Sequence, residues 1–254
     1  MRFNQLLTFG VLACVSGPGT ALALDPSGRA VDVVPATSAS GAGGDRTLAD
    51  DAPVFMGDVV TTNRRGSAQI KFVDDTKLVV GPNSQITIDS FVFQSKTTAK
   101  SFSLNAVQGT FRFITGVSAK NVYSIKTPSA TIGVRGTEFD FTVDQQGTHV
   151  GLWGGSIRLC DTSVPQRCTI VSGQCSVVIM TPTKQLRRVN SATERTAVIE
   201  ATFPFAFRQR RLLADFRVES GECNVRDLDP VTNPINDPSG PPSVSPATPP
   251  PDDD

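Results

Sequence analysis

The sequence predicts an all-β protein: a compact stack of short strands, a β-sandwich or short β-helix-like body, with a small C-terminal α-helical cap and a disordered tail. Three observations predict it. From Val54 onward, short apolar runs alternate with polar residues at strand period, with no helical period between them. Turn signals separate many of these runs: Gly66, Asp74-Asp75, Gly81-Pro82-Asn83, Gly109 and Gln145-Gln146-Gly147. After Asn190 the pattern becomes helical, and beyond Pro230 apolar patterning ends.

Residues 1–23 read as a secretory signal peptide. Arg2 is the only charge, Leu6 to Val15 form an apolar run, and Ala21-Leu22-Ala23 places cleavage between Ala23 and Leu24. The run is shorter than the roughly 20 apolar residues a bilayer span requires. No later stretch comes near that length, so the mature chain is expected to be exported without a transmembrane segment, in the periplasm or cell envelope. Cys14 supplies a competing reading, because Val11-Leu12-Ala13-Cys14 loosely resembles a lipid-attachment motif.

Residues 24–53 are small and polar, with Ser38 to Gly44 reading SASGAGG. They are expected to be a flexible linker, with a first strand over Ala30 to Val34. The β body is expected over 54–160, with strands at Ala68-Ile70-Phe72, Leu78-Val80, Ile86-Ile88, Phe91-Phe93, Phe102-Leu104, Phe111-Phe113, Tyr123-Ile125, Phe139-Phe141-Val143 and Val150-Leu152. About 100 residues can bury a workable core if both faces are used. Residues 161–229 are expected to form a disulfide-stabilised β/α extension, with further strands at Ile170-Val171 and Val177-Ile179. There Asn190 to Glu194 has the form of a capping box before Ala197, Val198 and Ala201, and Leu212, Leu213 and Phe216 suggest a second apolar face. The tail, 230–254, holds nine of the chain's 18 prolines, ends in three aspartates and has no aromatic residue. Such a composition cannot bury enough apolar surface to fold.

Removing the signal peptide leaves Cys160, Cys168, Cys175 and Cys223, an even number in an oxidising compartment. Three pairings are possible. The short spacing of Cys160 and Cys168 around Pro165 suits a hairpin bridge, leaving Cys175 to tie down Cys223; a tetrathiolate zinc site competes, without any CxxC pair. The 24 basic and 24 acidic residues cancel, which argues against bulk binding to nucleic acid or a membrane surface.

Few catalytic constellations exist. His149 is the only histidine and reads as a strand-surface residue; Asp74-Asp75 reads as a hairpin turn. No phosphate loop or nucleophile elbow is present, and no cofactor, metal or catalytic residue is assigned. Ser124 to Val143 is the most informative stretch. Pro128 belongs at a strand start or edge, and Gly133 and Gly136 suit a bulge or a close backbone approach. Arg135 and Glu138 lie between or beside these glycines as braces, in an ion pair with each other or a backbone clamp, with contact to a ligand as the alternative. Arg208, Arg210 and Arg211 read as a solvated face. Trp153, beside Gly154-Gly155, reads first as a core anchor; with Tyr123 it is also the candidate stacking platform for a sugar.

An ordered series of motifs then resembles the FecR-like periplasmic domain over about Gly57 to Leu159. It comprises Gly57-Asp58-Val59-Val60-Thr61-Thr62, Gly66-Ser67-Ala68-Gln69-Ile70, Asp74-Asp75-Thr76-Lys77-Leu78 leading into Gly81-Pro82-Asn83-Ser84, and Gly109 beside Phe111. The most specific member is Thr127-Pro128-Ser129-Ala130-Thr131-Ile132-Gly133-Val134-Arg135-Gly136-Thr137-Glu138-Phe139. The resemblance implies a non-enzymatic envelope module that acts through protein contacts; signalling members of the family also carry a cytoplasmic anti-sigma segment and one transmembrane helix, neither of which this sequence displays. The expected partner is therefore an envelope protein, with peptidoglycan or another glycan as the second class.

Overall fold

The computed structural model describes residues 25–219, Ala42 excepted, and Cys223. The expected cleavage site at Ala23 and Leu24, Cys14 and the tail 230–254 lie outside the described residues. Seventeen strands form one hydrogen-bonded sheet folded into two layers. In chain order they are β1 (Gly28–Val34), β2 (Thr37–Ser40), β3 (Arg46–Thr47), β4 (Pro53–Val54), β5 (Val59–Thr62), β6 (Ser67–Phe72), β7 (Lys77–Val80), β8 (Gln85–Phe93) and β9 (Ala99–Ile114). Then follow β10 (Tyr123–Lys126), β11 (Ala130–Val134), β12 (Glu138–Asp144), β13 (Gly147–Gly154), β14 (Ser156–Asp161), β15 (Cys168–Ser172), β16 (Ser176–Met180) and β17 (Leu186–Val189).

The first layer runs β4-β1-β6-β7-β9-β12-β13-β16-β17. The second runs β3-β2-β5-β8-β9-β10-β11-β14-β15, antiparallel except at β9–β10. The chain shuttles between them, and β9 belongs to both. Its first half pairs with β8 and β10, and its second half with β7 and β12. Gly109, expected as a turn between two strands, is instead the bend inside one strand. Its φ is 111°, and a Cβ there would sit 2.0 Å from Ser84 Oγ. Only glycine fits both the backbone and the space.

The alternating apolar residues face inward from both layers. Phe72 on β6 meets Phe91 and Phe102 of the opposite layer at 6.0 and 4.8 Å between ring centroids. Phe102 in turn meets Phe113 at 6.0 Å, across the bend of its own strand. Edge-to-face and offset contacts of this kind add to the area the rings bury.

The strand expected over Ala30 to Val34 is β1, but the rest of residues 24–53 is not a linker as far as it is described: β1 and β2 pair with β6 and β5, one in each layer. Small residues suit this place because neighbouring backbone comes close; a Cβ on Gly28 would lie 2.6 Å from Lys71 O. Nor does a boundary fall after residue 160. β14 pairs with β11 and β15, and β16 with β13, so both layers continue without interruption.

After β17 the chain forms α1 (Ala192–Thr202), α2 (Pro204–Phe207) and two 3₁₀ turns, Gln209–Arg211 and Ala214–Phe216. The Ser191 hydroxyl caps α1 by accepting from Glu194 N. In place of a second helix face, Leu212 and Phe216 are buried from short turns while Leu213 is exposed. This segment lies on the outer face of the first layer. Phe203 packs on Gly151, Phe205 on Gly81, and Thr142 Oγ1 donates to Thr202 O at 2.9 Å. The outer face of the second layer carries no such cover among the described residues and presents exposed polar residues such as Thr61, Asn105, Lys126 and Arg158.

Candidate interaction surface

Residues Arg135 to Thr137 carry the chain from β11 in the second layer to β12 in the first. Gly136 has φ 69°, the left-handed region that glycine adopts without strain. The return crossing, at Gly155 between β13 and β14, packs directly against it: a Cβ on Gly155 would lie 2.0 Å from Gly136 O. A third loop braces the pair. Thr115 N donates to Thr137 O at 3.1 Å, and Thr137 N donates to Thr115 Oγ1 at 2.9 Å. Val134 and Phe139 on either side are buried in the core. Gly133 differs from the expectation, since a Cβ there would meet Arg158 Cβ at an ordinary 3.6 Å. Pro128 sits in the turn between β10 and β11, closed by Thr127 N donating to Ala130 O at 2.8 Å.

The other motif residues are braces of the same kind. Gly57, at φ 87°, turns the chain into β5 and donates its N–H to Ile88 O at 2.7 Å. Asp58 is fully buried, ion-paired with Arg46, and accepts from Phe55 N at 2.7 Å. Gly66 lies against Ala36 O, and Ser67 opens β6. Asp74 and Asp75 form the β6–β7 turn. Asp75 faces Lys71 at 2.8 Å and Lys77 at 3.6 Å; the hydrogen bond from Lys71 is the main cause holding its carboxyl below the ordinary value. Asp74, by contrast, is buried and accepts from Ser118 Oγ and Tyr123 OH, both at 2.8 Å. Burial, above all, raises the pKa of the Tyr123 phenol.

Several expected roles change. Arg135 and Glu138 do not pair with each other: Arg135 is exposed and makes no ion pair among the described residues, while its N–H donates to Ser156 O at 3.2 Å. Tyr123 is 3 % exposed and Trp153 2 %, so neither offers a face for a sugar to stack on. Tyr123 is drawn in by Asp74, and Trp153 meets Phe203 edge to face at 6.1 Å under the C-terminal cover. His149 is likewise no surface residue. It is 5 % exposed, on the covered face of β13, with Nε2 3.3 Å from Asp144 Oδ1. Arg208 and Arg211 are exposed, as a solvated face requires.

The four cysteines form two disulfides, Cys160–Cys168 across β14 and β15, and Cys175–Cys223, which ties the C-terminal cover to the turn before β16. Among the described residues, no group of three or more His, Cys, Asp and Glu is placed to hold a metal. No described helix is long and apolar enough to cross a membrane.

Sequence reasoning missed one central site. Arg112, fully buried, donates from Nε to Asp140 Oδ1 at 2.6 Å and from Nη2 to Asp140 Oδ2 at 2.9 Å. Its Nη1 reaches Gln209 Oε1 at 2.9 Å and Phe216 O at 3.4 Å. Gln69 does the same nearby, donating to Arg211 O and accepting from Leu213 N. Two side chains of the first layer therefore read the backbone of the C-terminal cover. The available signal was a charged residue inside the Phe111-Phe113 run, matched by Asp140 inside Phe139-Phe141.

Residues 58–158 match the model of a family described as FecR protein. No curated protein matches this chain. Two solved structures of a candidate anti-sigma factor from Parabacteroides distasonis show weak similarity. Each is 15 % identical and aligns over 52 % of this chain and 59 % of its own, with TM-scores of 0.39 and 0.42. The matched part therefore spans less than two thirds of that protein's length.

Proposed function

We propose that this chain, whose residues 58–158 match the FecR protein model, is an exported, non-enzymatic regulatory module working through protein contacts in the cell envelope. One observation carries the reading. Around the Gly133–Phe139 crossing the backbone is braced from within by two neighbouring loops, yet the Arg135 side chain stands exposed without an ion partner among the described residues. A guanidinium held on a rigid, three-loop support is a recognition group for a partner's carboxylate or backbone. Two disulfides support an oxidising compartment. The burial of His149 under the C-terminal cover favours a structural role for it over catalysis.

Strand addition is a second mode to consider: β15 is one edge of the second layer, although Arg188 Nη2, donating to Ile170 O at 3.0 Å, partly guards it. The test is a photoreactive residue placed at Arg135 in cells. It should cross-link to one envelope protein, while the same residue at Arg29 gives no adduct, and the recovered chain should begin at Leu24 with both disulfides intact. Recovery of the chain in the cytoplasm with residues 1–23 attached would refute the reading.

A further inference from the structure

The balanced total charge conceals a local imbalance. From Ser90 to Thr137 the chain has no acidic residue but six basic ones, Lys96, Lys100, Arg112, Lys120, Lys126 and Arg135. Arg112 is buried against Asp140, and Lys126 lies 3.5 Å from Asp89. Lys96, Lys100, Lys120 and Arg135 are exposed and make no ion pair among the described residues.

The fold gathers these cations at one end of the sandwich, beside apolar side chains. The β8–β9 hairpin runs on past its neighbours. Its last ladder residue toward β5 is Thr87, and β10 joins β9 only from Phe102. Beyond those points β8 and β9 pair only with each other, Val92 with Ser101 and Phe93 with Ala99. The tip is closed by Gln94 N donating to Thr98 O at 2.8 Å. Ala99 N donates to Ser118 Oγ at 2.7 Å, which docks the hairpin on the loop carrying Val117 and Lys120. The stem of Lys120 lies over Gly136, next to Arg135. Val117 is 66 % exposed, Val92 46 % and Phe93 40 %. Of the acids bordering this stretch, Asp74 is buried in its network, Asp75 faces two lysines, and Asp89 accepts from Ser103 and faces Lys126. Glu138 is half-buried and makes no ion pair among the described residues.

We propose that this end, the projecting Val92–Lys100 hairpin with the Val117–Lys120 loop, docks on the surface of an anionic lipid bilayer. Valines and a phenylalanine on projecting chain reversals, ringed by unpaired lysines, suit a fluid interface that accepts apolar side chains and supplies negative headgroups. Val92, Phe93 and Val117 stand on a hairpin end and on the loop docked against it, and a folded acidic partner is the alternative occupant that the test below separates. The inference is independent of the partner proposed above and would hold the module against a membrane surface.

Flotation of the disulfide-intact mature chain with phosphatidylcholine vesicles, with and without one third phosphatidylglycerol, tests it. Retention is expected on the anionic vesicles alone and should weaken as salt is raised. Each lysine at such a surface contributes about a fivefold gain in binding, so Lys96→Gln, Lys100→Gln and Lys120→Gln together should lower retention about a hundredfold. These lysines are exposed and unpaired, so thermal unfolding should stay unchanged; Phe93→Ser with Val117→Ser should weaken retention independently. Absence of retention on anionic vesicles, or retention indifferent to the lysine changes, would overturn the proposal. Lysine-dependent binding of a poly-glutamate peptide without vesicle retention would overturn it too, in favour of an acidic protein. Failure here leaves the Arg135 cross-linking result untouched, so the two readings fail separately.

Discussion

Arg112 and Asp140 illustrate how little of a polar residue's role shows in strand periodicity. Both occupy positions that alternate with core phenylalanines, so a strand facing water on its second side would have placed them in solvent. The cover laid over that side buries them fully, and a buried pair survives only with its hydrogen bonds satisfied. Arg112→Met leaves Asp140 buried and unpaired, so a loss of about 3–5 kcal/mol is expected in chemical denaturation. Adding Asp140→Leu should recover much of that loss; equal instability of the single and double variants would contradict the assignment. Exposed carboxylates act differently. Asp75 is held below its ordinary 3.8 by the Lys71 hydrogen bond, and Asp89 below the same value by Ser103 Oγ. A lowered folded pKa stabilises above the unfolded value and is lost as pH falls through the folded one. The melting temperature should therefore decline below about pH 4, and Asp75→Asn with Asp89→Asn should shallow that decline.

Crossings between layers are the elements that the glycines decide. Gly155 combines φ 78° with backbone 2.0 Å from where a Cβ would stand, whereas Gly133 has only ordinary contact at 3.6 Å. Gly155→Ala should cost well over about 1 kcal/mol, because the crossing must both strain and shift. Gly133→Ala, inside β11, should stay within about 0.5 kcal/mol, and a reversed order in urea unfolding would contradict this difference. From the motif alone Gly133 and Gly136 look equivalent. What separates them is which backbone returns beside them, and Gly155 comes 19 residues after Gly136 in sequence yet touches it. Gly109 follows the same logic, with Ser84 arriving from the turn between β7 and β8.

Over the whole molecule, the first residues of the described chain are structural. β1 and β2 add a strand to each layer, and Ala30, Ala39 and Leu48 sit in the common core. A chain lacking residues 25–53 would uncover the edges of β5 and β6, so it should melt lower and bind a hydrophobic dye. Resistance of the native fold to trypsin at Arg29 and Arg46 checks the same point; rapid cleavage there would restore the linker reading. The sequence placed β1, at Ala30 to Val34, but composition hid β2, because Ser, Ala and Thr carry little periodic hydrophobic signal. The core between the layers, which takes in Val171, Val178 and Met180, and the unbroken ladders also explain why no domain boundary falls after residue 160.

By itself the sequence determined the β class, most strand positions, the α1 cap and the motif series of residues 58–158, since strand period, turn residues and capping are local properties. Only the tertiary structure decided which strands share a layer, which half of β9 belongs to which, and that the C-terminal segment covers one outer face. It also decided that Tyr123, Trp153 and His149 are interior while Arg135 and the Val92–Lys100 hairpin face outward. Burial and pairing across long separations depend on which surfaces meet, and alternation along a single strand carries no record of its partners.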